Sequence, residues 1–184
     1  MMKSGQYATV EDLYRTSSKA ELVDDRLVVM EPTGGLPGYA AGEILISLRE
    51  YAHRTRTGYA IGDNVGFLVD LPNRKSFSPD VSYYTGELTM KFLEGAPVFA
   101  VEVRSEHDYG ARSEAAMGRK RADYFAAGTR VVWDVDLLSD DVVRVYRQTD
   151  PEQPATYRRG EMADAEPALP GWQFPVDALF PEER

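Results

Sequence analysis

Apolar residues recur along this chain with two periods, and the switches between them mark its elements. From about Tyr39 to Arg54, the residues Ala41, Ile44, Leu45, Leu48, Tyr51 and Ala52 fall at helical spacing and give one apolar face. A second helical stripe, Met117, Lys120, Tyr124 and Ala127, follows Ser113, which can cap a helix running to about Ala127. Gly128 is placed to end that helix in a left-handed conformation. Thr9-Val10-Glu11-Asp12 resembles a capping box opening a short helix as far as Ser17.

Short apolar runs between turn residues predict strands. Glu21–Asp24 and Arg26–Met30 form a hairpin turning at Asp24-Asp25. Tyr59–Ile61, Gly66–Val69, Pro79–Tyr84, Pro97–Val103, Arg130–Val135 and Val142–Tyr146 supply six more. Gly86–Leu93 reads as either a short helix or a loop. The segment 148–184 is rich in proline and acid and is expected to wrap the surface, anchored by Leu169, Trp172, Leu179 and Phe180. These elements predict one α/β domain over residues 1–184, with its core at about 9–147 and a mixed central sheet flanked by helices.

One run stands apart. Pro97-Val98-Phe99-Ala100-Val101-Glu102-Val103 reads as a strand covered on both faces, yet it carries a carboxylate. A buried charge is costly unless it is paired or bound to a metal. The plain alternative is an acid emerging at the strand end and paired with Arg104.

Composition narrows the chemistry. With 43% hydrophobic and 28% charged residues, 184 residues suit a soluble domain with a real core. The start of the chain, Met1 to Tyr7, lacks the apolar segment of a secretory signal, so the cytoplasm is the expected compartment. The absence of cysteine excludes disulfides, thiolate metal sites and a cysteine nucleophile. Two histidines, His53 and His107, argue against a multi-histidine zinc site. Any metal is then expected to be a hard cation held by oxygens, magnesium or manganese. The net charge of −9 argues against a surface that grips long nucleic acid, although Arg112, Arg119, Lys120, Arg121 and Arg130 supply local positive charge.

Against this background a few residues could carry chemistry. Asp80 follows a proline, which alone is turn chemistry, but beside Glu102 on a neighbouring strand it becomes a second metal ligand. Two carboxylates and a lysine converging at strand ends are the parts of a metal-dependent phosphodiesterase. Lys120 lies on an otherwise apolar stripe, where it either snorkels outward or turns inward to orient an attacking water or neutralise charge on phosphoryl oxygens. Glu21 is either a solvated hairpin acid or an acid reaching the metal through water. His107 lies beyond the end of the central strand, where ligands sit in α/β sheets, or is simply solvated. Arg119 and Arg121 are either a wet helix face or phosphate contacts.

In their order and spacing these pieces resemble the PD-(D/E)XK nuclease superfamily, and more narrowly the Uma-type restriction endonucleases. The resemblance runs from about Val10 to Phe180. It is carried by Glu21 to Asp25, Gly66-Phe67, Pro79-Asp80-Val81, Pro97 to Ser105, Lys120 to Tyr124, Gly128, Trp133 to Asp136 and Leu169 to Trp172. It implies a restriction-endonuclease-like fold and a magnesium- or manganese-dependent endonuclease acting on nucleic acid, with DNA the expected substrate. By the same resemblance Asp80, Glu102 and the main-chain carbonyl of Val103 hold the metal. Lys120 stands for a lysine migrated from the position occupied here by Arg104, and Glu21 for an assisting N-terminal acid. Arg104, His107, Arg119 and Arg121 are the expected substrate contacts, and a homodimer would suit a cut through two strands.

The chain also departs from the pattern. Relatives often carry a histidine where the long helix starts, and this chain has Gly38-Tyr39-Ala40-Ala41-Gly42. Relatives tend to read Leu-Ser-Pro-Ser after Glu-Val, and this chain reads Arg104-Ser105-Glu106-His107. Two further functions therefore stand beside the endonuclease: an inactive binding or regulatory module on the nuclease scaffold, and a hydrolase of small phosphodiesters.

Overall fold

Strand pairing explains how a chain of short elements builds one layered structure. The computed structural model describes residues 7–182; the first six, part of the segment read for a leader, and the last two lie outside the described residues. Helix α1 (Val10–Arg15) opens with Thr9 and Asp12 capping each other reciprocally, as their spacing predicts. Strands β1 (Ala20–Val23) and β2 (Arg26–Val29) form the expected antiparallel hairpin. Its turn residues Asp24 and Asp25 take φ of 48° and 56°, the left-handed values of a tight hairpin turn.

Helix α2 (Gly35–Thr55) begins four residues before the expected start at Tyr39. Pro37 sits in its first turn, where a missing N–H leaves no helical hydrogen bond unmade. Strands β3 (Tyr59–Ile61), β4 (Phe67–Leu68), β5 (Ser76–Phe77), β6 (Val81–Tyr84), β7 (Leu93–Glu94) and β8 (Phe99–Val103) follow. Most of the uncertain stretch from Gly86 is thus a loop that ends in β7.

Helix α3 (Ala111–Ala126) starts two residues before Ser113, so that serine does not cap it; Gly110 holds the N-cap position. Gly128, at φ 105°, lies just beyond its end, as expected. Strands β9 (Val131–Val135), β10 (Val143–Arg147), β11 (Asp150–Tyr157), β12 (Met162–Asp164) and β13 (Gln173–Pro175) and a 3₁₀ turn at Val176–Leu179 complete the chain.

The central sheet has six strands in the order β11-β10-β9-β8-β6-β3. Strands β8 and β9 run parallel and the other neighbours are antiparallel, giving the predicted mixed sheet. Alternation along β8 splits its side chains. Phe99, Val101 and Val103 join Ile44, Leu48 and Tyr51 of α2 in one core, while Ala100 joins Tyr124 and Phe125 of α3 in a second. Truncating a fully buried residue such as Leu48 to alanine should cost about 2–5 kcal/mol.

The C-terminal segment does more than wrap the surface. Strand β11 extends the central sheet, and Leu169, Trp172, Phe174, Val176 and Leu179 are buried in the α2-side core beside Trp133. Leu169, Trp172 and Leu179 are the anchors expected from the sequence, with Phe180 packed against the same core, while Phe174 and Val176 add to them through aromatic and aliphatic packing.

Candidate active site

The site lies on the α3 face of the sheet, at the end of β8. Strands β6 and β8 pair Val81 with Val101, so one further step places Asp80 opposite Glu102. Opposed residues on antiparallel strands have Cβ atoms about 5 Å apart. The main chain fixes this further: the Asp80 N–H donates to the Val101 carbonyl at 3.2 Å, and Asp80 Oδ2 accepts from the Val103 N–H at 2.8 Å.

Lys120 reaches the same place from α3. Its Nζ lies 2.8 Å from Glu102 Oε1 and 2.9 Å from Glu21 Oε1. The stripe that holds it also carries Tyr124, one turn on, whose hydroxyl donates to Glu102 Oε1 at 2.7 Å. The lysine turns inward and does not snorkel away. Glu102 pairs with this lysine and not with Arg104, which corrects the plain alternative drawn from the sequence.

Glu21 is the most enclosed of the charged groups, at 3% exposure. It accepts from the Ser78 N–H at 2.8 Å, from Arg74 at 2.6 Å and from Lys120. Asp123 holds the other side of Arg74 at 2.8 Å. With those partners, Glu21 is no solvated hairpin acid: it positions Lys120.

Burial pushes the Glu102 carboxyl up to about 7; the charges of Asp80 and Glu21 push the same way, and Lys120 opposes them. Burial also opposes charge on Lys120, but Glu102 and Glu21 override it and raise its pKa. Burial acts against charge on Glu21 too, and there Lys120 and Arg74 win, lowering its pKa.

Two groups at this site, Lys19 and Arg74, escaped the sequence analysis, and the helical stripe places Tyr124 without giving it a role. Lys19, just before β1, places Nζ 2.8 Å from Asp80 Oδ1 and 2.5 Å from Asp63 Oδ1. Arg74 and Tyr124 hold Glu21 and Glu102. No local spacing links Lys19 to residue 63 or 80; the only available signal was its position beside Glu21, at the mouth of the hairpin.

The proposed substrate contacts divide. Arg104 is 4% exposed and spends its guanidinium on Asp134, at 2.7 Å to each oxygen, and on Glu114. Arg121 stacks on Tyr146, 4.0 Å from the ring centroid, and lies 3.6 Å from Asp134. Both are committed to holding Asp134. Arg119 and His107 are exposed, and all four line the groove that contains Lys19, Glu21, Asp80, Glu102 and Lys120, a space of about 1670 Å³.

Asp80 and Glu102 are the two carboxylates here that could face a metal. Among the described residues no group of three or more His, Asp or Glu side chains could hold an ion. Glu102 receives both its hydrogen bonds at Oε1, and Oε2 is not a sealed orphan, so one oxygen stays open. One open oxygen on Glu102, Asp80 opposite and the Val103 main chain alongside fit a magnesium-class ion, which keeps several waters. Zinc, with its preference for nitrogen and sulfur, does not fit.

Among curated proteins, none matches the chain. The fold is similar to a crystal structure from Anabaena variabilis ATCC 29413 described as "a putative nuclease belonging to DUF820", at a TM-score of 0.74 and 17% identity over 94% of this chain and 97% of that one. This likeness concerns the fold, and it agrees with the mixed sheet and flanking helices expected from the sequence. No helix among the described residues is long and apolar enough to cross a membrane. The family model Uma2, described as "Putative restriction endonuclease", matches residues 7–177, and with that match spanning nearly its whole length the chain belongs to the Uma2 family, whose description supports nuclease activity in general.

Proposed function

We propose that this protein is a metal-dependent endonuclease that hydrolyses phosphodiester bonds in DNA. The observation that carries the reading is Asp80 opposite Glu102 with Lys120 closing on Glu102 Oε1. Asp80, Glu102 and the Val103 carbonyl hold magnesium or manganese. When bound, such an ion polarises a phosphoryl oxygen and makes a nearby water easier to deprotonate.

The chain's own residues do the rest. Tyr124 and Lys120 occupy one oxygen of Glu102 and so fix its carboxylate plane, leaving the other oxygen for the ion. Lys120 keeps its proton and steadies charge that gathers on the phosphoryl oxygens, or orients the attacking water. Glu21, anchored by Arg74 and Ser78, sets where that ammonium sits. Arg119 and His107 contact the nucleic-acid backbone from the groove wall. Arg104 also lines the groove, but its charge is balanced by Asp134 and Glu114, so it does not disturb Glu102. A cytoplasmic homodimer would let two such sites cut two strands.

A second reading, hydrolysis of small phosphodiesters, draws on the net charge of −9. The test incubates purified protein and its Glu102→Ala variant with plasmid DNA or bis(p-nitrophenyl) phosphate, plus manganese or chelator. Plasmid cleavage that requires metal and Glu102 supports the endonuclease. Turnover of the small ester alone favours the second reading, and equal plasmid cleavage by the variant overturns the roles given to the carboxylates.

A further inference from the structure

Lys19 shares the site with the proposed metal ligands but has no place in the hydrolysis described above. Its main chain is pinned by the hairpin, the Lys19 carbonyl accepting from the Met30 N–H at 2.9 Å. Its ammonium lies between Asp80 Oδ1, at 2.8 Å, and Asp63 Oδ1, at 2.5 Å. The lysine and Asp80 are mostly buried, at 16% and 22% side-chain exposure, whereas Asp63 is 53% exposed. Asp80 is therefore occupied at both oxygens, by Lys19 at Oδ1 and by the Val103 N–H at Oδ2.

We propose that Lys19 is an internal counter-cation that a divalent ion must displace from Asp80, with Asp63 as the acceptor that keeps the displaced ammonium. The inference rests on the metal-site reading and adds a device that sets the affinity of that site. A cation already seated on a ligand lowers the net negative charge that an incoming ion feels and occupies a lone pair it needs. Asp63 lowers the barrier to exchange: the lysine is already bonded to it, so letting go of Asp80 leaves no unpaired charge behind. Lys19 is a positioning residue in this account and touches no substrate.

The test is a double-mutant cycle read by calorimetric titration of manganese into the full chain, with Glu102→Ala as the control that removes the metal site. Lys19→Met should bind manganese at least about tenfold more tightly, the scale of removing one charge a few ångströms away. Asp63→Asn should weaken binding in the natural background, because the lysine then has only Asp80 to hold. The same Asp63→Asn change made together with Lys19→Met should alter affinity less than about twofold, since the parked lysine is gone. Additive effects of the two changes would reduce Lys19 to general electrostatics and overturn the proposal. Unchanged or weaker binding by Lys19→Met, with Glu102-dependent binding intact, would overturn it while leaving the metal site standing. No Glu102-dependent binding in any variant would overturn both. Thermal melts of each variant confirm that the titrated protein is folded.

Discussion

Lys120 Nζ lies 2.9 Å from Glu21 and 2.8 Å from Glu102, so one ammonium from α3 joins an acid of the N-terminal hairpin to an acid of the central sheet. All three groups are largely withdrawn from water, and the lysine is the cation both acids share, so its removal leaves two enclosed carboxylates without it. Lys120→Met should cost about 3–5 kcal/mol in urea unfolding at pH 8, the scale for breaking a buried ion pair. The loss should shrink at pH 5.5, where the Glu102 carboxyl, already raised to about 7 with the lysine present, is neutral and no longer needs a counter-ion.

The raised Glu102 pKa also fixes the sign of a stability change. A carboxyl that titrates near 7 in the folded protein and at about 4.5 when unfolded binds more protons folded than unfolded between those values. Stability from this group is therefore fully present below about pH 4.5 and declines as pH rises through 7. Glu102→Gln removes that decline. The variant should be about 1–3 kcal/mol more stable than the natural protein at pH 8, with the gap closing towards pH 5. Melting curves across this range read the difference. A gap that widens as pH falls would contradict the assignment.

Much of this could be read in advance from residues with strong local signals. The Tyr39–Arg54 periodicity, the acid inside Pro97–Val103 and the stripe holding Lys120 and Tyr124 each announce burial through their neighbours in sequence. They placed α2, β8 and α3, and with the last two Glu102 and Lys120. Lys19, Asp63, Arg74 and Asp123 were not legible, because their contacts join segments 44 to 61 residues apart in the chain. Arg104 misled for a related reason. Its position two residues after Glu102 suggests a site residue, yet the parallel pairing of β8 with β9 sets Asp134 beside Glu102 and gives the guanidinium a bidentate partner.

That pairing separates structure from chemistry at residue 104. Arg104 and Asp134 side chains are 2% and 4% exposed. Arg104→Ala leaves Asp134 without its bidentate partner and should cost about 3–5 kcal/mol by denaturant melts. Arg104→Lys, which cannot reproduce the planar fork, should recover part of this. Manganese affinity should stay within about twofold in any folded variant, because the guanidinium does not touch Asp80 or Glu102. A large fall in metal affinity without loss of stability would return Arg104 to the site.

Arg119 should behave in the opposite way. It is exposed on the groove wall, so Arg119→Ala should leave melting temperature unchanged. If it contacts a phosphate, DNA binding should weaken evenly across sequences, and the slope of log affinity against log salt should fall by about one. An unchanged salt slope would remove Arg119 from the nucleic-acid contact.

The central claim is that Glu102 is tolerated at the end of an oily strand because it and Asp80 share a divalent cation. Anomalous scattering from crystals soaked in manganese tests this most directly. The account predicts one strong peak between the Asp80 and Glu102 carboxylates, absent in Glu102→Gln crystals. A saturating soak that leaves this position empty, or puts the ion elsewhere on the chain, would contradict it.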